Sequence, residues 1–175
     1  SLTATLPPLE RQTYYLLIIQ SKEAYIRGYI SESIEYAKAA IDLYGDISIA
    51  AYLSLACCYY KQENYDSSIK ILTHAIKLAP FCYGLYYQLS LIYGHLGYSA
   101  LFIETCLNYY RYIDHQDTLI WDHYNTLALM YIQSESSSSA LLLIEWLLDT
   151  SKDYPELIPL KTVKKATVIK EKFCQ

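Results

Sequence analysis

Residues 51–80 read AYLSLACCYYKQENYDSSIKILTHAIKLAP, and this stretch decides the fold. Apolar residues recur at steps of three and four as far as Tyr60, the spacing that gathers them on one face of an α-helix. The polar residues 61–64 interrupt the pattern. It resumes at Tyr65 and stops at Pro80, which has no amide hydrogen to carry a helix further. Two amphipathic helices joined by so short a turn make an αα-hairpin.

The hairpin recurs along the chain. Tyr52, Leu55, Tyr59 and Ile69 are followed 34 residues later by Tyr86, Leu89, Tyr93 and Ile103. A further step of 38 residues reaches Tyr124, Leu127 and Tyr131, with Ala128 and Ala140 in phase with Ala56 and Ser68. The four extra residues fall in 115–120, between hairpins, where insertion costs little. Backwards, Gly28, Ile34, Ala37 and Ala40 precede Glu63, Ile69, Leu72 and Ala75 by 35 residues. Each hairpin has too little core of its own, so stacking neighbours must complete it.

These residues resemble the tetratricopeptide repeat, a 34-residue hairpin with an aromatic, Leu, a small residue and Tyr in its first helix, and a small residue, Ala and a closing Pro in its second. Residues 49–82 match well through Tyr52, Leu55, Ala56, Tyr59, Ser68, Leu72, Ala75 and Pro80. The third hairpin departs in its second helix, with Phe102, Cys106 and Tyr109; the first has only Ser21 as a small residue in its first helix. The resemblance implies an all-α fold, an α-solenoid of about four tetratricopeptide-like helical hairpins with a C-terminal capping helix. The expected organisation is a lead-in at 1–13, hairpins at about 14–48, 49–82, 83–120 and 121–154, and a capping helix and tail at 155–175. Pro7-Pro8 is expected to break the lead-in. Ala56, Ser90 and Ala128 are expected where paired helices approach closely, so a bulky substitute there would force them apart. Ala51 is expected off that contact line.

Composition narrows the function classes. Hydrophobic residues make up 53% and charged residues 18%, the reverse of what disorder requires. A net charge of −4 offers no basic footprint for nucleic acid. No apolar run reaches the roughly 20 residues that span a bilayer; the longest, 141–148, is broken by Glu145. The five cysteines are odd in number and include the adjacent Cys57 and Cys58, which argues against a disulfide framework and for a reducing compartment, cytoplasm or nucleus. No signal peptide is visible, and a chain that starts at Ser1 without Met reads as part of a longer protein. The four histidines lack metal-ligand spacing, no cofactor motif is present, and His95 has no carboxylate placed beside it, so the expectation is a protein that is not an enzyme and holds neither metal nor cofactor. The serine-rich run 134–139 reads as a solvated loop and helix cap.

In this family the first helix of each hairpin faces the concave side, and the resemblance therefore implies a partner-binding groove. Its candidate residues are Tyr15, Ile18 and Lys22 in the first hairpin, Leu53, Cys57 and Tyr60 in the second, Tyr87, Gln88 and Leu91 in the third, and Asn125 and Leu129 in the fourth. Members that grip a C-terminal carboxylate use Lys, Asn and Arg at fixed groove positions; here those positions hold Ile18, Lys22, Ser54, Gly84 and Gln88, which lack the basic set. With 21 Tyr against three Phe, an apolar, tyrosine-rich lining is expected, suited to an extended or helical segment of a protein or peptide partner. The expected function is an interaction scaffold or adaptor. The alternatives are a self-associating segment, forming a homodimer within a multi-subunit assembly such as a ubiquitin-ligase scaffold, or a small dedicated chaperone for apolar segments.

Overall fold

The structure, a computed structural model, describes residues 2–113, 120–133 and 135–174. Among the described residues there are nine α-helices: α1 (Pro8–Ile26), α2 (Ile30–Tyr44), α3 (Ile49–Lys61), α4 (Tyr65–Leu78), α5 (Tyr83–Leu96), α6 (Ser99–Tyr112), α7 (Ile120–Gln133), α8 (Ser137–Asp153) and α9 (Leu160–Phe173). Short 3₁₀ turns occupy Leu2–Thr5 and Gly45–Ile47. The fold is all-α, built of sequential hairpins. Two compact units divide it, with the boundary between Ile92 and Tyr93.

One turn geometry closes all four hairpins. Gly28, Glu63, Gly97 and Glu135 have φ of +83°, +60°, +74° and +62°. The next amide in each case returns to a carbonyl five residues back: Tyr29 to Ala24, Asn64 to Tyr59, Tyr98 to Tyr93 and Ser136 to Tyr131, at 2.7–3.0 Å. This is the Schellman arrangement, in which a left-handed residue lets the turn satisfy the last carbonyls of a helix. Its positions are spaced by 35, 34 and 38 residues, the steps read from the sequence. Residues 114–119 and 134 lie outside the described residues, and with them most of the expected insertion and one serine of the run.

The small residues do what close packing requires. Ser21, Ser33, Ala37, Ala40, Ala56, Ser68 and Ala75 are fully buried in the first unit. The Ser33 hydroxyl donates to the Ser21 carbonyl and the Ser68 hydroxyl to the Ala56 carbonyl, each at 2.7 Å. These bonds hold equivalent points of the first and second hairpins. The Ser21 and Ser54 hydroxyls lie 2.7 Å apart and tie α1 to α3, while the Cys58 thiol donates to Ser33 at 3.1 Å. A satisfied bond of this kind contributes about 1 kcal/mol, and an unsatisfied buried hydroxyl costs more than that.

Two expectations need correction. Residues 8–13 are not lead-in but the start of α1: Pro8 occupies the first helical turn, where the missing amide hydrogen would have had no partner. Ala51 is not off the contact line. It is fully buried in a cluster with Tyr14, Ile18 and Ala40, at the junction of α1, α2 and α3.

In the second unit the third hairpin solves its large residue by exchange. Phe102 stands where Ser68 and Ala140 stand in the neighbouring repeats and is 1% exposed. Opposite it is Gly94: a Cβ there would meet the Phe102 ring at 3.1 Å. The ring also meets Tyr131 edge-on at 6.1 Å. α7 and α8 pair through buried Ala128 and Ala140 and an aromatic cluster of Trp121, Tyr124 and Trp146. α9 packs on both helices through Thr162, Ala166 and Ile169, leaving Lys161, Lys164, Lys165 and Lys172 outward. A lysine-covered outer face is what a solvated cap needs.

Candidate partner-binding groove

α1 and α3 lie side by side in the first unit, and two adjoining cavities line their common face, sharing Ala50 and Leu53. The first, of about 320 Å³, is bounded by Thr3, Tyr14, Tyr15, Ile47, Ile49, Phe81 and Cys82. The second, of about 300 Å³, is bounded by Lys22, Tyr25, Ile26, Ser54 and Cys57. Leu53 stands between them, half-buried. Phe81 at 63% exposure and Ile26 at 82% give an apolar rim.

Four of the candidate residues therefore come together here: Tyr15, Lys22, Leu53 and Cys57. Tyr60 follows Cys57 on α3, half-buried against Tyr65 at 5.7 Å. Three candidates are corrected. Ile18 is a core residue, packed with Ala40 and Ala51, because α1 turns that side toward α2. Gln88 is buried on α5. Asn125 is fully buried, its side-chain amide donating to the Thr162 carbonyl of α9 at 3.1 Å. The capping helix takes the side chain that the repeat register assigned to the groove. Tyr87 and Leu91 on α5, and Leu129 on α7, are half-buried.

The lining is uncharged apart from one ammonium. Lys22 is the only charged side chain in either cavity wall among the described residues. Burial, and then the neighbouring Cys58, push the Cys57 thiol up to about 11, so it stays protonated at neutral pH and is a packing group rather than a nucleophile. Tyr25 is likewise raised, chiefly by burial.

Tyr14, Thr3, Phe81 and Cys82 are wall residues outside the groove positions that the resemblance implies. Phe81 and Cys82 follow Pro80 in the connection between hairpins, and Thr3 belongs to the first 3₁₀ turn. Thr3 is held by a 3.0 Å hydrogen bond between its hydroxyl and that of Tyr15. Tyr14 is buried, and its hydroxyl faces the amides of Ala50 and Ala51 without reaching hydrogen-bond geometry. Burial raises its pKa against the opposing pull of those amides. α3 has no side-chain cap, because the hydroxyl of Ser48 donates backwards to the Ala40 carbonyl at 3.1 Å.

No protein-family model matches the chain, and no curated protein matches it. Solved structures do. A thermophilic tetratricopeptide-repeat protein of Thermus thermophilus is 17% identical, with a TM-score of 0.64 over 91% of this chain and 80% of that one. The MamA protein is 16% identical, with a TM-score of 0.62 over 92% and 93%. YrrB, described as a tetratricopeptide-repeat protein with an unusual peptide-binding site, is 14% identical, with a TM-score of 0.60 over 89% and 86%. The chain thus has the all-α, helical-repeat fold of tetratricopeptide-repeat proteins.

Proposed function

We propose that this protein is a protein-interaction module, not a catalyst, and that the α1–α3 face of its first unit holds an apolar segment of a partner. The observation that carries this reading is the pair of adjoining apolar cavities with Leu53 between them and Lys22 as their sole charge among the described residues. A partner segment would place apolar side chains in the two hollows, with the exposed edges of Tyr15, Ile26 and Phe81 closing over them. The peptide-binding site described for YrrB adds support by analogy of fold. No disulfide joins any of the five cysteines, which fits a partner met in a reducing, intracellular setting. Among the described residues no helix is long and apolar enough to cross a membrane.

The test is selection from a displayed library of random peptides, about 12 residues long, enough to span both hollows in an extended form. Peptides with two or three apolar or aromatic residues should be enriched. Leu53→Asp should abolish their binding, and Lys70→Ala, on an exposed side of α4, should leave it intact. Binding that survives Leu53→Asp would move the site elsewhere. Self-association is a second reading, favoured by Leu9, Leu16 and Ile19, all more than half exposed on α1. Sedimentation of the wild type and of a Leu9→Lys/Leu16→Lys variant decides it: a dimer that the double variant dissolves would support it.

A further inference from the structure

α9 carries five lysines against one glutamate, in a chain whose net charge is −4. Its buried side holds Thr162, Ala166 and Ile169. On the outward side Lys161, Lys164, Lys165, Val168 and Lys172 follow at i, i+3, i+4, i+7 and i+11, the spacing of one helix face, and all five are exposed. Lys170 meets Glu145 at 3.7 Å; the other four lysines have no carboxylate within ion-pair distance among the described residues. Leu160 and Val168, both more than half exposed, lie among them. A solvated cap needs only polarity, which both signs of charge supply. This face is instead electrostatically strained. Lys161 repels Lys164 and Lys165, its neighbours at i+3 and i+4. It also stands in the first turn, where the helix dipole disfavours positive charge and no acidic residue balances it. No contact among the described residues offsets these terms, and a negatively charged ligand would. From Lys161 to Lys172 the face is about 16 Å long, the span of about five extended residues. An anionic bilayer fits it less well than a short segment does. The exposed Asp149, Asp153 and Glu156 lead into α9, and a plane broad enough to cover the helix brings like charge toward them, whereas a segment need touch only the lysines.

We propose that the outward face of α9 binds an acidic segment of a partner protein. Carboxylates of the segment pair with Lys161, Lys164, Lys165 and Lys172, and an apolar side chain among them lies against Val168. Complementary charge selects the segment and speeds its capture. The face belongs to the second unit and does not depend on the α1–α3 reading.

The probes are a fluorescein-labelled peptide of about ten residues, mostly glutamate with two leucines and long enough to run the length of the face, and the same peptide with glutamine for glutamate. Each is titrated with the full chain and followed by fluorescence anisotropy. The glutamate peptide should bind saturably, and the glutamine peptide at least tenfold more weakly. Added salt should weaken the glutamate peptide severalfold, because exposed ion pairs are screened. Lys164→Gln/Lys165→Gln should weaken it about tenfold or more, Lys164→Arg/Lys165→Arg should keep it, and Val168→Ser should weaken it severalfold. Lys38→Gln/Lys70→Gln, at exposed positions of α2 and α4, should leave it unchanged. Lys161→Glu gives a readout that a merely solvating lysine would not move. It should lose binding, yet melt about 1–3 °C above the wild type without peptide, since it relieves the first turn of α9. Equal binding of the two peptides, a Lys164→Gln/Lys165→Gln variant that binds as the wild type does, or a Lys161→Glu variant that melts no higher would each overturn the proposal. So would vesicles of phosphatidylserine that bind the chain more tightly than the peptide does and lose it in the same lysine variants, since the face would then belong to a bilayer.

Discussion

The four hairpin turns offer a sharp energetic test, because two of them put glutamate where the backbone favours glycine. Glu63 and Glu135 hold φ near +60°, like Gly28 and Gly97 at the same place in their repeats. An L-residue in that conformation costs roughly 1–2 kcal/mol. Glycine removes this cost but gives back about 0.4–1 kcal/mol through the greater freedom of the unfolded chain. Glu63→Gly should therefore stabilise the fold by about 1 kcal/mol. The reverse change at Gly28 isolates the backbone term, since a Cβ there meets nothing within 4 Å; Gly28→Ala should destabilise by about 1 kcal/mol. Gly84 supplies the contrast. It lies within α5 at an ordinary φ, and a Cβ there would stand 3.5 Å from the Leu53 side chain, an ordinary contact. Gly84→Ala should stabilise, by up to about 1 kcal/mol, through helix propensity. Thermal melting by circular dichroism reads these changes as shifts of about 2–4 °C for a chain of this size. Glu63→Ala separates backbone from charge. If it stabilised as much as Glu63→Gly, the gain would come from removing a carboxylate and the left-handed reasoning would fail. A Gly28→Ala variant as stable as wild type would refute it as well.

Gly94→Ala should destabilise by about 1–3 kcal/mol, the range for overpacking, because the new methyl would meet the Phe102 ring at 3.1 Å. Phe102→Leu in the same chain should recover part of that loss, and denaturant melts of the two single variants and the double variant give the coupling. Cys57 should react slowly with iodoacetamide: a thiol raised from 9.0 to about 11 carries about a hundredfold less thiolate at pH 8 than an ordinary one. Mass spectrometry of the alkylated sites should show its rate climbing toward pH 11. The same shift makes stability pH-dependent, since the folded state holds the thiol proton more tightly than the unfolded chain. The contribution is complete below pH 9 and is lost between 9 and 11, so a melting temperature that rose over that interval would contradict it.

The hairpin period, the turn between α3 and α4 and the small positions at 56, 68, 75, 90, 128 and 140 are legible in the sequence, because each rests on local chemistry. Helical spacing gathers apolar residues on one side, proline ends a helix, and only small side chains let helices approach. The same logic makes the third hairpin look degenerate, since Phe102 breaks the small-residue rule. Only the packed structure shows that Gly94 makes up for the volume on the facing helix, as such exchanges depend on contacts across a turn whose partnership no spacing announces. The register puts Tyr15, Lys22, Leu53 and Cys57 on one face, and all four line the pair of cavities along α1 and α3. The register misleads at Ile18 and Asn125, because those side chains are claimed by neighbouring helices, α2 and α9. Tyr14, Phe81 and the start of α3 come to one cavity wall only through tertiary structure, which brings together a turn after a proline, a helix start and a residue of α1. Sequence periodicity decides which residues can share a face; the packing of the next element decides which of them remain open to a ligand.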